Sequence, residues 1–121
     1  MSSSFQDLRV WQSSILLTKS IYIATDKFPK SELYGLTSQM RRATVSIPSN
    51  IAEGKGRNTG KEFAASLYHA RGSLMELQTQ ILLSRDLNLL TTEVANELLN
   101  QCTTVGKAMA GLINSLKLSN H

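Results

Sequence analysis

Six basic residues in the middle of the chain offer the clearest chemistry in the sequence: Arg41, Arg42, Lys55, Arg57, Lys61 and Arg71. Ammonium and guanidinium groups bind phosphate oxygens, and arginine does so bidentately. The only acidic residues between positions 41 and 71 are Glu53 and Glu62. This stretch therefore carries the same net charge, +4, as the whole chain. The pattern predicts a nucleic-acid interface with the positive charge gathered at one end of two helices.

The adjacent arginines, Arg41 and Arg42, admit two interpretations. Neighbouring residues on a helix point about 100° apart, so one arginine can face a partner while the other lies along a packed edge. The functional interpretation is a contact with phosphate or with an acidic partner. The structural alternative is an ion pair with Glu53 or with a neighbouring helix, because charged surface groups are usually solvated or paired.

A proline deep inside a predicted helix marks a second candidate region. Pro48 removes a backbone hydrogen bond and clashes with the preceding turn, which costs about 3 kcal/mol or more. It frees the carbonyl of Thr44, which Ser49, Asn50 or a water can satisfy. The resulting kink either presents a close-approach surface to a partner, or simply fits the helix around a neighbour.

Several patterns that would indicate an enzyme fail on inspection. The run from Gly54 to Lys61 resembles a phosphate loop, but five residues separate Gly54 from Gly60 where a Walker loop has four, and Glu62 replaces the Ser or Thr. His69 lacks the Glu-x-x-His spacing of metal-binding bundles, and Cys102 has no nearby base. We therefore predict no catalytic residue, no metal site, no cofactor and no enzymatic activity.

Hydrophobic periodicity predicts an all-α fold, with one domain at residues 8–118 preceded by a flexible tail at residues 1–7. The four predicted helices cover about residues 8–26, 32–54, 60–86 and 92–118. Their matched lengths and short connections indicate an antiparallel up-down-up-down bundle. Thr59 and Glu62 have the spacing of a capping box, and Thr91 is the expected N-cap of the fourth helix.

Each predicted helix has an apolar stripe at three- and four-residue spacing, which is expected to face the core. On the first helix the stripe is Leu8, Trp11, Ile15, Leu16, Tyr22 and Ile23. On the second it is Leu36, Met40, Ala43, Ile47, Ile51 and Gly54. On the third it is Phe63, Leu67, Ala70, Leu74, Leu77 and Ile81. On the fourth it is Val94, Leu98, Cys102, Val105, Met109, Leu112 and Leu116.

Two helices carry more apolar residues than one stripe can hold. The extra positions include Leu17 and Ile21 on the first helix, and Tyr68, Met75, Leu82 and Leu83 on the third. A helix that is apolar on most sides is buried by more than one neighbour. Because a single four-helix monomer cannot supply that burial, we expect the protein to self-associate.

The composition is that of an ordinary cytoplasmic domain. The chain has 121 residues, of which 41% are hydrophobic and 18% charged, and it contains one cysteine, which fits a reducing compartment. We see no charged leader before an apolar run, and no apolar stretch approaches the roughly 18 residues of a membrane span.

Long motifs resemble the bacterial proteins encoded in intervening sequences of 23S rRNA genes, sometimes labelled S23 ribosomal proteins. The matching runs are Phe5-x-x-Leu-x-Val-Trp-Gln12, Phe28-Pro29, Tyr34-Gly-Leu-Thr-Ser-Gln39, Arg41-Arg-Ala43, Ser46-Ile-Pro-Ser-Asn-Ile-Ala-Glu-Gly54 and Gly56-Arg57. The resemblance implies a four-helix protomer in a ring-like homopentamer, similar in fold to the accessory variability protein of diversity-generating retroelements. It supplies no catalytic residues. It points to Tyr34, Gly35, Ser46, Pro48, Asn50, Glu53 and Gly54 as positions that shape the second helix and the protomer interface.

Two functions follow as expectations. The first is a non-enzymatic homo-oligomer that binds rRNA or another nucleic acid through the six cations. The second is a scaffold that docks a partner protein, such as a polymerase or reverse transcriptase, through the surface of the second helix. Neither involves a membrane.

Overall fold

The computed structural model describes residues 4–119, which form four α-helices and contain no strand. The helices are α1 (Arg9–Thr25), α2 (Leu36–Lys55), α3 (Gly60–Asp86) and α4 (Thr92–Ser119). Two short 3-10 helices lie at Phe5–Asp7 and Lys30–Glu32. α1 and α3 each pack against α2 and α4. The prediction of an all-α, four-helix fold is confirmed.

The N-terminal residues only partly fall within the described chain. Residues 1–3 of the predicted tail lie outside it. Residues 5–7 form a 3-10 helix whose first amide groups are capped by Ser4, which accepts from the Gln6 N–H at 3.1 Å. The Phe5 ring packs edge-on against Trp11, with 5.3 Å between ring centroids, so this turn is attached to the start of α1.

The second helix begins later than the sequence predicted. Its first residue is Leu36 rather than residue 32, because Gly35 takes backbone angles far from helical ones. Glu32 lies in the preceding 3-10 helix, and its carboxylate accepts a hydrogen bond from the Leu36 N–H at 3.3 Å. An acidic side chain thus satisfies one of the free amides with which every helix begins.

The predicted caps of the last two helices are confirmed. The Thr59 hydroxyl accepts from the Glu62 N–H at 3.1 Å, which is the N-cap half of a capping box. The Glu62 carboxylate returns to the Thr59 hydroxyl, also at 3.1 Å, rather than to its backbone amide. Thr91 accepts from the Val94 N–H in the same way. α3 ends at Asp86, and two residues later Asn88 has a φ of 63°, a left-handed conformation that asparagine adopts readily.

The core lies along the stripes predicted for α2 and α3, and every residue of both stripes is buried. On α4 the buried face drifts from the predicted heptad: Val94 is exposed, whereas Ala95 and Ile113 are buried. Such drift is expected of a straight helix, which falls behind a seven-residue repeat by about 20° each heptad.

The stripe predicted for α1 is confirmed only at Leu8 and Trp11, which pack against the core, and is wrong for its exposed residues. Leu16, Tyr22 and Ile23 are exposed, and Leu8, Trp11 and Ile15 are half-buried. The residues that α1 buries are Val10, Ser14, Leu17, Ile21 and Thr25. Two of these are polar, and each satisfies its hydroxyl within the helix: Ser14 donates to the Trp11 carbonyl at 2.8 Å, and Thr25 to the Ile21 carbonyl at 2.7 Å.

Large apolar side chains remain on the outside of the bundle. On α3, Tyr68, Met75 and Leu82 recur every seven residues and are all exposed. Leu67 of α3, and Leu17 and Ile21 of α1, are instead fully buried. In the described residues, no helix has both the length and the hydropathy to cross a bilayer.

Candidate nucleic-acid interface

Three of the six predicted cations come together at the connection between α2 and α3. Lys55 ends α2, Arg57 lies in the connection, and Lys61 occupies the second position of α3. We call residues 55–61 the α2–α3 loop. The 27-residue α3 begins in this loop, where Thr59 caps the Glu62 amide, and the N-terminus of a helix favours anions.

One loop cation already has a partner. A guanidinium nitrogen of Arg57 lies 2.8 Å from a Glu53 carboxylate oxygen, one turn earlier, as the i,i+4 spacing predicts. Both side chains are about half exposed, so the pair contributes little stability. Among the described residues no ion pair involves Lys55 or Lys61.

Arg41 links two helices and is not free to bind a partner. Its Nε donates to the Thr25 hydroxyl at 3.0 Å, and its guanidinium carbon lies 4.5 Å from the centroid of the Tyr22 ring. The Asp26 carboxylate is 4.0 Å away, and the arginine side chain is only 28% exposed. These contacts match the structural alternative, because they join α2 to the end of α1.

Arg42 is exposed, so the two adjacent arginines face different surroundings, as their helical spacing predicts. It borders Ser46, Ser73 and Glu76 in the seam between α2 and α3. Within residues 4–119 it forms no ion pair.

Arg71 lies apart from both the α2–α3 loop and the arginine pair Arg41 and Arg42, in a cluster around the Tyr68 ring. Its guanidinium carbon lies 4.8 Å from the centroid of the Tyr68 ring, and the Lys117 ammonium lies 5.9 Å from the same centroid. A ring face attracts cations through its quadrupole. Arg71 is ten residues beyond Lys61 on α3, or about 15 Å along the helix axis.

The positive charge is therefore not gathered at one end of two helices, and that prediction is wrong. Arg42 and Lys55 are separated by 13 residues of α2, about 20 Å at 1.5 Å per residue. The six cations form three groups: the α2–α3 loop, the arginine pair near the start of α2, and the ring cluster around Tyr68. Only the α2–α3 loop brings three of them together.

The carbonyl that Pro48 leaves without its helical donor lies near Thr18 of α1, a residue that the sequence analysis did not select. Pro48 is buried inside α2, and Ser49 and Asn50 donate to the Val45 and Ser46 carbonyls rather than to that of Thr44. Instead, the Thr18 hydroxyl of α1 lies 3.2 Å from the Thr44 carbonyl oxygen and 3.1 Å from the Thr44 hydroxyl. The Thr18 hydroxyl also lies 2.8 Å from the Ser14 carbonyl oxygen, so its single proton is shared between that carbonyl and the freed carbonyl across the α1–α2 contact.

Two other motif residues have structural roles. Ser46 donates to the Ala43 carbonyl at 2.7 Å, one turn earlier. Gly54 is buried where α2 approaches α3: a β-carbon placed there would lie 2.6 Å from the Ser66 Cβ and 2.9 Å from the Phe63 ring. Only glycine permits this approach.

Tyr34 and Gly35 precede α2 beside a shallow groove. This motif groove is lined by Tyr22, Leu33, Tyr34, Thr37, Ser38, Arg41, Arg42, Val45 and Ser46. Tyr34 is 93% exposed and projects from its rim.

Cys102 is a buried core residue, and burial raises the pKa of its thiol from 9.0 to about 12. Each pKa unit is a tenfold change in ionisation, so the thiolate fraction at pH 8 falls about a thousandfold. We expect an alkylating reagent to label the folded protein at pH 8 at least a hundredfold more slowly than the protein in denaturant. Equal rates would contradict burial of the thiol.

The described residues contain no cluster of three or more His, Cys, Asp or Glu side chains that could hold a metal ion. Fold and surface together define a small helical-bundle protein with dispersed basic groups and exposed apolar faces. The family model for the 23S rRNA-intervening sequence protein matches residues 6–111. The chain therefore belongs to that family. No curated protein matched the chain.

Proposed function

We propose that this protein is a non-enzymatic, cytoplasmic homo-oligomer that binds RNA or another nucleic acid through the α2–α3 loop. The observation that carries the proposal is that Lys55, Arg57 and Lys61 lie within one short loop at the N-terminus of α3. Phosphate contacts of this kind are tolerant of sequence and strongly salt-dependent. Copies arranged around an axis multiply a weak contact by avidity.

Self-association is supported by the apolar face of α3. Tyr68, Met75 and Leu82 lie at seven-residue intervals, so they line up along one side of the helix. Large exposed apolar patches commonly mark protein interfaces. We propose a closed ring, with the pentamer implied by the family resemblance as its form.

We further propose that the helices run up-down-up-down. The cross-helix contacts support this order: Thr18 meets Thr44, whereas Tyr22, further along α1, meets Arg41, earlier in α2. Between α2 and α3, Gly54 lies near Phe63, and Met40 meets Ser84. Both pairs of contacts have the inverse order expected of antiparallel neighbours.

Charge reversal in the α2–α3 loop tests the nucleic-acid proposal. The double variant Lys55→Glu with Lys61→Glu is expected to weaken binding of a structured rRNA fragment at least tenfold at low salt. The plot of log affinity against log salt concentration should lose about two units of slope, since each phosphate contact contributes nearly one. Fluorescence anisotropy over a salt series measures both quantities.

The control is Lys19→Glu with Lys107→Glu, which changes the net charge equally at exposed sites on α1 and α4. It should retain most of the affinity. If both double variants lose the same affinity, net charge alone governs binding and the loop is not the interface. If the unaltered protein does not bind at low salt, the nucleic-acid proposal is wrong.

A protein-docking scaffold is the second candidate, and the exposed Arg42 between the motif groove and the α2–α3 seam favours it. A groove that combines apolar walls with an unpaired arginine suits an acidic protein partner. The test is co-purification from nuclease-treated cells. One defined protein should accompany the unaltered chain and be lost with Arg42→Glu.

A further inference from the structure

The ring cluster combines residues from two helices: Tyr68 and Arg71 of α3, and Lys117 in the last turn of α4. The centroid of the Tyr68 ring lies 4.8 Å from the Arg71 guanidinium carbon and 5.9 Å from the Lys117 ammonium nitrogen, so the two charges are at most about 11 Å apart. Both cationic residues are exposed, and within residues 4–119 neither forms an ion pair. The cluster therefore holds two uncompensated charges beside one ring.

Two unpaired cations beside one ring favour an anion that contacts both of them. Like charges repel, whereas an aromatic ring attracts each cation only weakly at an exposed site. An anion between the two side chains removes the repulsion and adds charge-assisted hydrogen bonds. Arginine binds two oxygens of one phosphate at once, and lysine adds a compact charge. The ring cluster therefore has the chemistry of a phosphate site.

The ring cluster lies on the same side of α3 as Lys61 of the α2–α3 loop. Lys61 and Tyr68 are seven residues apart, so they share one face of the helix, about 10 Å apart along its axis. Both are exposed. Because Lys117 lies beside Tyr68, the end of α4 is next to the first half of α3. The loop and the ring cluster together form what we call the basic strip, which consists of Lys55, Arg57, Lys61, Arg71 and Lys117.

We propose that the nucleic acid bound at the α2–α3 loop continues along α3, and that one of its phosphates contacts both Arg71 and Lys117. The inference rests on the proposed nucleic-acid function and extends its site to the ring cluster. Lys117 is distant from the other cations in the chain, and the packing of α4 on α3 brings it to the strip. From Lys61 to Arg71 the strip spans about 15 Å, which is about four nucleotides at the roughly 3.4 Å rise of one strand in a duplex.

The continuity of the basic strip favours a polyanion over a carboxylate from a second copy. A single carboxylate neutralises one group, whereas linked phosphates engage the loop and the ring cluster together. Desolvation also opposes the burial of unpaired cations in a protein interface. Met75 and Leu82 lie further along α3 and remain exposed. Self-association through α3 therefore does not require the ring cluster.

Charge reversal in the ring cluster tests the inference. Arg71→Glu with Lys117→Glu is expected to weaken binding of the structured rRNA fragment at least fivefold at low salt. The plot of log affinity against log salt concentration should lose about one unit of slope, because one phosphate loses its contact. The control Lys19→Glu with Lys107→Glu changes the net charge equally and should retain most of the affinity. Fluorescence anisotropy measures binding, and circular dichroism confirms that each variant is folded.

Competition with inorganic phosphate distinguishes a phosphate of a bound nucleic acid from a free ion. At the phosphate concentration that the RNA itself supplies, inorganic phosphate should not displace the fragment. Linked phosphates bind as a set, whereas free ions bind one at a time. Displacement at that concentration would show an isolated anion site and overturn the continuous path.

The outcomes separate this inference from the proposed function. If the unaltered protein does not bind the fragment at low salt, both are wrong. If Lys55→Glu with Lys61→Glu weakens binding while the ring-cluster variant matches the control, the inference alone is overturned. If the ring-cluster variant keeps its RNA affinity but loses mass in sedimentation, the cluster contacts a carboxylate of a second copy, which also overturns the inference.

Discussion

Gly54→Ala is expected to destabilise the protein by about 1 kcal/mol net. Alanine would place its β-carbon 2.6 Å from the Ser66 Cβ and 2.9 Å from the Phe63 ring, distances at which α2 and α3 must separate. Overpacking of this kind typically costs 1–3 kcal/mol. It outweighs the roughly 1 kcal/mol that alanine gains over glycine inside a helix. Urea unfolding followed by circular dichroism measures the change.

The matched control is Gly72→Ala on the exposed side of α3. A β-carbon at Gly72 meets nothing within 4 Å, so only the helical preference of alanine remains. We expect a stabilisation of about 0.5–1 kcal/mol. If Gly54→Ala also stabilises the protein, the two helices do not approach as closely at Gly54 as the structure indicates.

The difference between α2 and α1 shows what hydropathy can predict. The α2 stripe is nearly all apolar, so its spacing identifies the buried face directly. α1 buries Ser14 and Thr25, whose hydroxyls bond to carbonyls one turn earlier and thereby enter the core without an unsatisfied group. A reading based on apolar residues passes over them and selects Tyr22 and Ile23 instead. Such self-satisfied hydroxyls are not distinguishable in sequence from exposed ones.

The candidate site shows the same limit for charges. The proximity of Lys55, Arg57 and Lys61 along the chain survives in the fold because one short loop carries them. Arg41 and Arg71 lie about 20 Å and about 15 Å from that loop along their helices. Each packs against an aromatic ring there, Arg41 on Tyr22 of another helix and Arg71 on Tyr68 one turn away.

Thr18→Val is expected to destabilise the protein by about 1–3 kcal/mol. The substitution keeps the shape of the side chain and removes its hydroxyl. The Thr44 carbonyl, which Pro48 has already deprived of its helical donor, then loses the side-chain donor that lies 3.2 Å from it, in a site where Thr44 is fully buried. A buried acceptor left without a partner costs that amount. Thr79→Val is the control: its hydroxyl bonds to the Met75 carbonyl on an exposed surface, so the change should be small.

A double-mutant cycle with Pro48→Ala identifies the cause. Alanine at position 48 restores a backbone N–H, which can donate to the Thr44 carbonyl within α2. Thr18→Val should therefore cost about 1 kcal/mol less in the Pro48→Ala background than in the unaltered protein, a coupling of the size that contacting residues show. Equal costs in both backgrounds would mean that the Thr18 hydroxyl acts through Ser14 or the Thr44 hydroxyl instead. A positive coupling would establish that α1 compensates for the hydrogen bond that the proline of α2 removes.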